Sequence, residues 1–354
     1  MMRLFSRYIA TTILGAIAMV LMVFVALDAI GAIIDGMGDI KNDFTFGKLL
    51  VYIGLTLPSR IYESLPIASL IGCLVGLGML ANNSELVVMR SSGVSVLRIV
   101  WFVIKPVLWL ILLAALLGEY VVPRTDQLAE SRKMLLKGGE TAQEAAGGLW
   151  NREGNEFMHF NAVYPSGVLF GVTRYHFDDQ RKIKQVSFSQ RASYQGDYWL
   201  EENGVTTDFF PTRTETGSFV TRKWETDLAP NLLLLIMMPP DSLAIGSLSS
   251  YIDYLNDQGR DSVVYELAFW KKILQPLTIV SLVLVAISFV FGPLRSATMG
   301  YRVFAGVVAG IIFRTIQDLL GPASIVFGFS PLLAVLVPSL VLVFLGLLML
   351  RRTG

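Results

Sequence analysis

A single cysteine in 354 residues excludes a disulfide framework within the chain. Cys73 lies among Ile71, Gly72 and Leu74 and reads as a small packing residue. Two histidines, His159 and His176, both fall in strand-like runs, and a metal site built on them needs further carboxylates in register. No metal ligand set is expected. No G-x-x-x-x-G-K-[ST] loop occurs, so the chain carries no visible nucleotide site of its own. Nucleophile elbows and H-E-x-x-H are missing too. With 29 Lys+Arg against 28 Asp+Glu and a formal charge of +1, no basic field argues for nucleic acid. Charged residues make up only 16%, which is too few for an ordinary cytosolic domain.

What is present is apolar: 53% hydrophobic residues and a mean hydropathy of +0.58. Six stretches are long enough to cross a bilayer core of about 30 Å. They run from Ile9 to Ile34 (interrupted by Asp28), Leu49 to Leu80, Val96 to Val122, Val264 to Phe291, Val303 to Leu320 and Pro331 to Leu350. The first is too long for a signal peptide and lacks a small-residue cleavage end, so it reads as a mature span. Pro58 and Pro66 favour one long bent second helix. Arg3, Arg7, Arg90, Arg98, Arg295, Arg302, Arg351 and Arg352 fall on one side of a six-span topology, which predicts cytoplasmic termini.

Residues 123 to 262 hold 33 of the 57 charged side chains and form an external insert, periplasmic in a cell with two membranes. Within it, runs at Leu149–Trp150, Glu156–Val163, Val168–Phe177, Ile183–Tyr194, Tyr198–Thr206 and Gly217–Glu225 are separated by turn residues, the last break being Thr216-Gly217. This predicts a small sandwich or jelly-roll-like all-β unit over about 148–230. Helical connectors are expected at 123–147 and 240–262. The fold class is therefore membrane α-helical, with helices one to three in 1–122, the insert in 123–262, and helices four to six in 263–354.

Polar residues inside spans need partners or cavities. Arg60 and Glu63 are i,i+3, and Arg314 and Asp318 are i,i+4, so each pair can neutralise itself along one helix face, either as a structural ion pair near an interface or as the lining of a polar-headed substrate's path. Lys271 and Lys272 lie near a span end and can snorkel. The pairs Ala305/Ala309 and Gly306/Gly310 suit close helix packing. Between spans two and three, Ala81 to Gly93 opens on cap-type residues, puts Glu85 in a first turn and ends at glycine. It reads as a short amphipathic helix, about 82–93, parallel to the membrane. Leu86, Met89 and Arg90 would project together, either into lipid headgroups or into a cytoplasmic motor protein.

Three runs carry a resemblance: Gly76-Leu77-Gly78-Met79-Leu80-Ala81-Asn82-Asn83-Ser84-Glu85-Leu86-Val87-Val88-Met89, Trp270-Lys271-Lys272-Ile273-Leu274-Gln275-Pro276-Leu277 and Phe289-Val290-Phe291-Gly292-Pro293-Leu294-Arg295-Ser296. The chain resembles the LptF/LptG permeases of lipopolysaccharide export, with the LptG branch the closer, over essentially its whole length. The resemblance implies a non-hydrolytic permease subunit of an ABC transporter in the bacterial inner membrane. That complex extracts lipopolysaccharide and passes it to a periplasmic β-jelly-roll bridge. The implied partners are an LptF paralogue, an LptB ATPase dimer that binds ATP and Mg, the single-span LptC, lipopolysaccharide and the membrane.

Ser84, Glu85, Leu86, Met89 and Arg90 then become the ATPase-coupling helix, with Glu85 at the contact position. Lys41 and Lys133 match the family's external basic residues in region, and Arg132 and Lys137 are this chain's additions, all four facing lipid phosphates. Phe24, Leu27, Ile30 and Ile34 in span one, and Phe304, Val308, Ile312 and Ile316 in span five, recur at helical spacing. By pattern alone they face lipid or a neighbouring helix. The resemblance assigns their region to a cavity for acyl chains shared with the paralogue. The rival class, a lipoprotein-releasing or mechanotransmitting ABC permease, usually has four spans with its domain after the first.

Overall fold

In the computed structural model, residues 2–38, 40, 44–137, 149–164, 167–226, 228–230, 232–233, 238–292 and 297–352 are described. The helices before the insert are α1 (Met2–Met37), α2 (Phe46–Asn82), the short α3 (Glu85–Ser91) and α4 (Val96–Leu116). A π-helical turn (Leu117–Val121) then leads into α5 (Val122–Lys137). Six strands follow: β1 (Leu149–Glu153), β2 (Glu156–Tyr164), β3 (Val168–Phe177), β4 (Ile183–Tyr194), β5 (Trp199–Phe209) and β6 (Thr214–Trp224). A 3₁₀ turn (Pro240–Ser242), α6 (Ile245–Asp257), α7 (Val263–Phe291), α8 (Met299–Phe327) and α9 (Pro331–Arg351) complete the order. Six helices among the described residues are long and apolar enough to cross a membrane. The β unit enters after the third of them.

The second helix stays continuous through Pro58 and Pro66. At 37 residues it spans roughly 55 Å, well beyond the hydrocarbon thickness. It is also the hub of the bundle, packed against α1, α7 and α8. A Cβ on Gly72 would stand 2.5 Å from Ile17 Cα, so glycine is what lets α1 approach α2 so closely. Gly306 and Gly310 of α8 lie against Leu74, Ile67 and Leu70 of α2, so these small residues serve helix packing. The core gathers Ile9, Ile13 and Ile17 with Leu70, Leu74, Leu77 and Cys73.

The strands form one antiparallel sheet in chain order. Asn161, Gly171, Gln190, Asn203 and Val220 are skipped in the ladders of β2 to β6 and make a crease across five strands. Gly171 and Asn203 have positive φ, +60° and +52°, and a Cβ on Gly171 would stand 2.3 Å from Asn161 Nδ2. The sheet also curls on itself from edge to edge. In a flat sheet β2 and β6 would be about 19 Å apart, yet the rings of Phe160 and Trp224 are 6.3 Å apart. The enclosed side holds Met158, Phe160, Leu169, Val172, Trp199 and Trp224, and Trp199 Nε1 donates to the Leu228 carbonyl at 2.8 Å.

A buried ion network spans the same crease. Glu201 meets Arg174 at 3.3 Å and Arg222 at 2.7 Å, and Arg174 stacks over Trp224. Burial pushes the Glu156 carboxyl up and the Arg174 guanidinium down from their ordinary values.

One turn differs from expectation. Thr216 and Gly217 lie inside β6, paired with Thr207 and Thr206. The hairpin closes earlier, where Phe210 N donates to the Arg213 carbonyl at 2.9 Å. Pro211 has no N–H for a ladder, which is why the strands stop there.

Candidate functional site

The functional features lie at the two ends of the helical bundle and on its unpartnered flanks. At the end carrying the sheet, α1, α2 and α5 are tied by polar side chains. Arg60 forms an ion pair with Asp28, also reaching the Asp28 carbonyl at 3.3 Å and Thr56 Oγ1 at 3.2 Å. This corrects the expected Arg60/Glu63 pairing: three acceptors across and along the helix satisfy the guanidinium better than one glutamate three residues on. Asp28, a lone charge in span one, was the sequence signal for this contact. Ser59 donates to Asp126 at 3.0 Å and Tyr52 to Glu130 at 2.6 Å. Lys133 lies 4.8 Å over the Tyr52 ring, beside an exposed Arg132. Lys41 lies outside the described residues, as does the side chain of Lys137, so the structure brings only Lys133 and Arg132 of that basic set together.

Lys272 does not snorkel. It is buried, donates to the Leu243 carbonyl, and points at the Gly118 carbonyl 3.5 Å away. Glu119, carried by the π-helical turn, accepts from the N–H of Ile245 at 2.8 Å and so satisfies an orphan donor at the start of α6. Both bonds bind the returning connector to the membrane helices, and the ammonium meets backbone carbonyls instead of extending to the span end.

Next to Lys272 a cleft of about 260 Å³ opens between α2, α7 and α8. Glu63, Asp241, Lys271, Gln275, Arg314 and Gln317 line it. Arg314 and Asp318 pair at 3.6 Å as their spacing predicts, and each side chain is 63% exposed. Sequence reading offers Glu63, Arg314 and Asp318 as residues that could line a polar-headed substrate's path, but not their assembly with Asp241, Lys271, Gln275 and Gln317, because the members come from four separated segments. Among the described residues, no three His, Cys, Asp or Glu side chains gather into a metal-holding group.

At the opposite end, α3 is oriented differently from expectation. Leu86 and Met89 are 5% and 3% exposed and belong to the bundle core, whereas Val87 and Val88 are each 58% exposed. Arg90 is exposed as well. The correction follows from the bundle's own apolar demand: the 86/89 ridge seals the core from below, leaving 87, 88 and 90 outward. Ser84 does not cap the helix with its side chain, because it adopts a left-handed backbone (φ +61°). Instead Glu85 Oε1 accepts from Tyr8 at 3.2 Å and from Asn83 at 3.3 Å. Arg302 of α8 is buried and donates to the Gly78 carbonyl at 2.9 Å and Asn82 at 3.2 Å, which fastens α8 to the end of α2. Nothing in the sequence pattern signalled Tyr8 or Asn83.

On the flanks, Leu27, Ile30 and Ile34 of α1 are exposed, with Phe24 partly covered. Phe304, Val308, Ile312 and Ile316 of α8 are exposed too. Apart from Phe24, neither stripe is covered by the described residues, so in a bilayer each faces lipid, substrate or another protein.

The LptF_LptG family, described as lipopolysaccharide export system permease LptF/LptG, matches residues 7–352. The lipopolysaccharide export system permease protein LptG of Escherichia coli (strain K12) is 33% identical over 351 residues, covering 98% of each chain. LptG of Haemophilus influenzae is 33% identical over 346 residues, covering 97% of each. A six-span bundle with its β unit after the third span, matched from end to end, belongs to the LptF/LptG family of lipopolysaccharide export permeases.

Proposed function

We propose that this chain is the LptG-type half of an ABC transporter that draws lipopolysaccharide out of the inner membrane. An LptF paralogue supplies the other half, and an LptB dimer, holding ATP and Mg, drives it from the cytoplasm. LptC continues the route along a periplasmic β bridge. In this reading both termini are cytoplasmic, the folded sheet is periplasmic, and the chain itself hydrolyses nothing. The α3 loop receives the ATPase through Glu85, Val87, Val88 and Arg90, while Leu86 and Met89 anchor the loop to the core. Arg132 and Lys133, with Lys41 and Lys137, contact the substrate's phosphates through charge-assisted bonds.

The observation that carries the reading is the pair of exposed stripes, Leu27–Ile30–Ile34 on α1 and Phe304–Val308–Ile312–Ile316 on α8. Acyl chains need such a surface, since each CH₂ left in water costs about 0.8 kcal/mol. Photocrosslinkers at Leu27, Ile30, Ile312 and Ile316 should capture lipopolysaccharide in cells and lose it when ATP is supplied to vesicles. Capture of phospholipid alone at all four positions would overturn the cavity.

A further inference from the structure

We propose that Tyr8 is a positioning residue for energy coupling, holding Glu85 so that movement of the α3 loop passes directly into α1. The inference rests on the reading of α3 as the ATPase contact, and it names the element that receives the motion. The Tyr8 hydroxyl donates to Glu85 Oε1 at 3.2 Å, and Asn83 Nδ2 donates to the same oxygen at 3.3 Å. The other oxygen, Oε2, is buried and has no hydrogen-bond partner among the described residues. An ionised carboxylate accepts through both oxygens, so Oε1 is held by this chain, while Oε2, covered by it, is freed for an outside donor when the α3 loop shifts. Tyr8 and Asn83 therefore fix the carboxylate plane that an incoming Arg or backbone N–H meets.

The link leads to the substrate surface. Helix α1 is continuous from Met2 to Met37, so Tyr8 and Ile34 sit on one rod, roughly 39 Å apart along its axis. One face of that rod packs in the core through Ile9, Ile13 and Ile17, while Leu27, Ile30 and Ile34 stand exposed. A displacement of Glu85 is thereby delivered to the helix that carries an acyl-facing stripe, without passing through α2.

The test uses the complete export complex in vesicles and reads lipopolysaccharide released per ATP hydrolysed, a ratio that a merely structural loss would not change. Tyr8→Phe should lower it about fivefold, the scale of one ordinary, solvent-facing hydrogen bond, with the complex recovered in normal yield. In a Glu85→Ala background Tyr8→Phe should add nothing, because residues acting through one another are not additive. In a Glu85→Gln background its effect should persist, since the amide oxygen still accepts; this arm serves if the alanine variant fails to assemble. An unchanged ratio for Tyr8→Phe beside an uncoupled Glu85→Ala overturns the role of Tyr8 and leaves the α3 reading intact. An equal Tyr8→Phe effect in the wild-type and Glu85→Ala backgrounds also overturns it. A fully coupled Glu85→Ala removes both.

Discussion

The attachment of the β unit and the attachment of α3, at opposite ends of the bundle, are built to different standards of rigidity. At the sheet end, Lys272 is buried against the connector carbonyl of Leu243, Glu119 satisfies the start of α6, and the half-buried bonds of Tyr52 and Ser59 tie α2 to α5. At the loop end, α3 leans on the core through Leu86 and Met89, and its polar tie to α1 is a solvent-facing bond from Tyr8. Buried bonds are costly to open because the freed groups stay dry, whereas exposed ones exchange with water. The comparison teaches that the loop can shift while the sheet's attachment holds, which suits a part that takes up motion and a part that must stay aligned.

Breaking the stiff end should cost most. Lys272→Met keeps the stem volume but leaves the Leu243 carbonyl without its donor. We expect a loss of about 2 kcal/mol, read as a lower unfolding midpoint in detergent and faster hydrogen exchange at the start of α6. An unchanged midpoint would show that water replaces the ammonium there and that the end is not stiff. A middle case is Tyr52→Phe, which frees Glu130 from a half-buried bond. It should cost about 1 kcal/mol and speed exchange where α5 meets α2. The smallest change is expected at the loop: Asn83→Ala should move stability by less than about 0.5 kcal/mol in the same melt. A larger drop would mean that the α3 loop is as tightly built as the sheet end.

Much of this was legible from residue types. Six apolar runs gave six helices because hydrocarbon tolerates no unsatisfied backbone. Five of the six strands began within a residue of where turn chemistry put them, and the sixth started three residues early because Pro211, rather than Thr216-Gly217, ended the ladder. The site was less legible. Periodicity placed Leu86, Met89 and Arg90 on one face but could not say that the core beneath the bundle would take Leu86 and Met89. Spacing paired Arg60 with Glu63 because Asp28 is 32 residues away in sequence.

The sequence by itself determined the membrane class, the span count, the position of the β unit and the family, because these depend on local hydropathy, turn residues and motif wording. Only the tertiary structure decided which carboxylate meets Arg60, that Lys272 is buried, that five skipped residues crease the sheet, and that Tyr8 reaches Glu85. Each of these is a contact between segments far apart in the chain. Its energy depends on distance and desolvation after the helices and strands have packed, and no run of neighbouring residues encodes that.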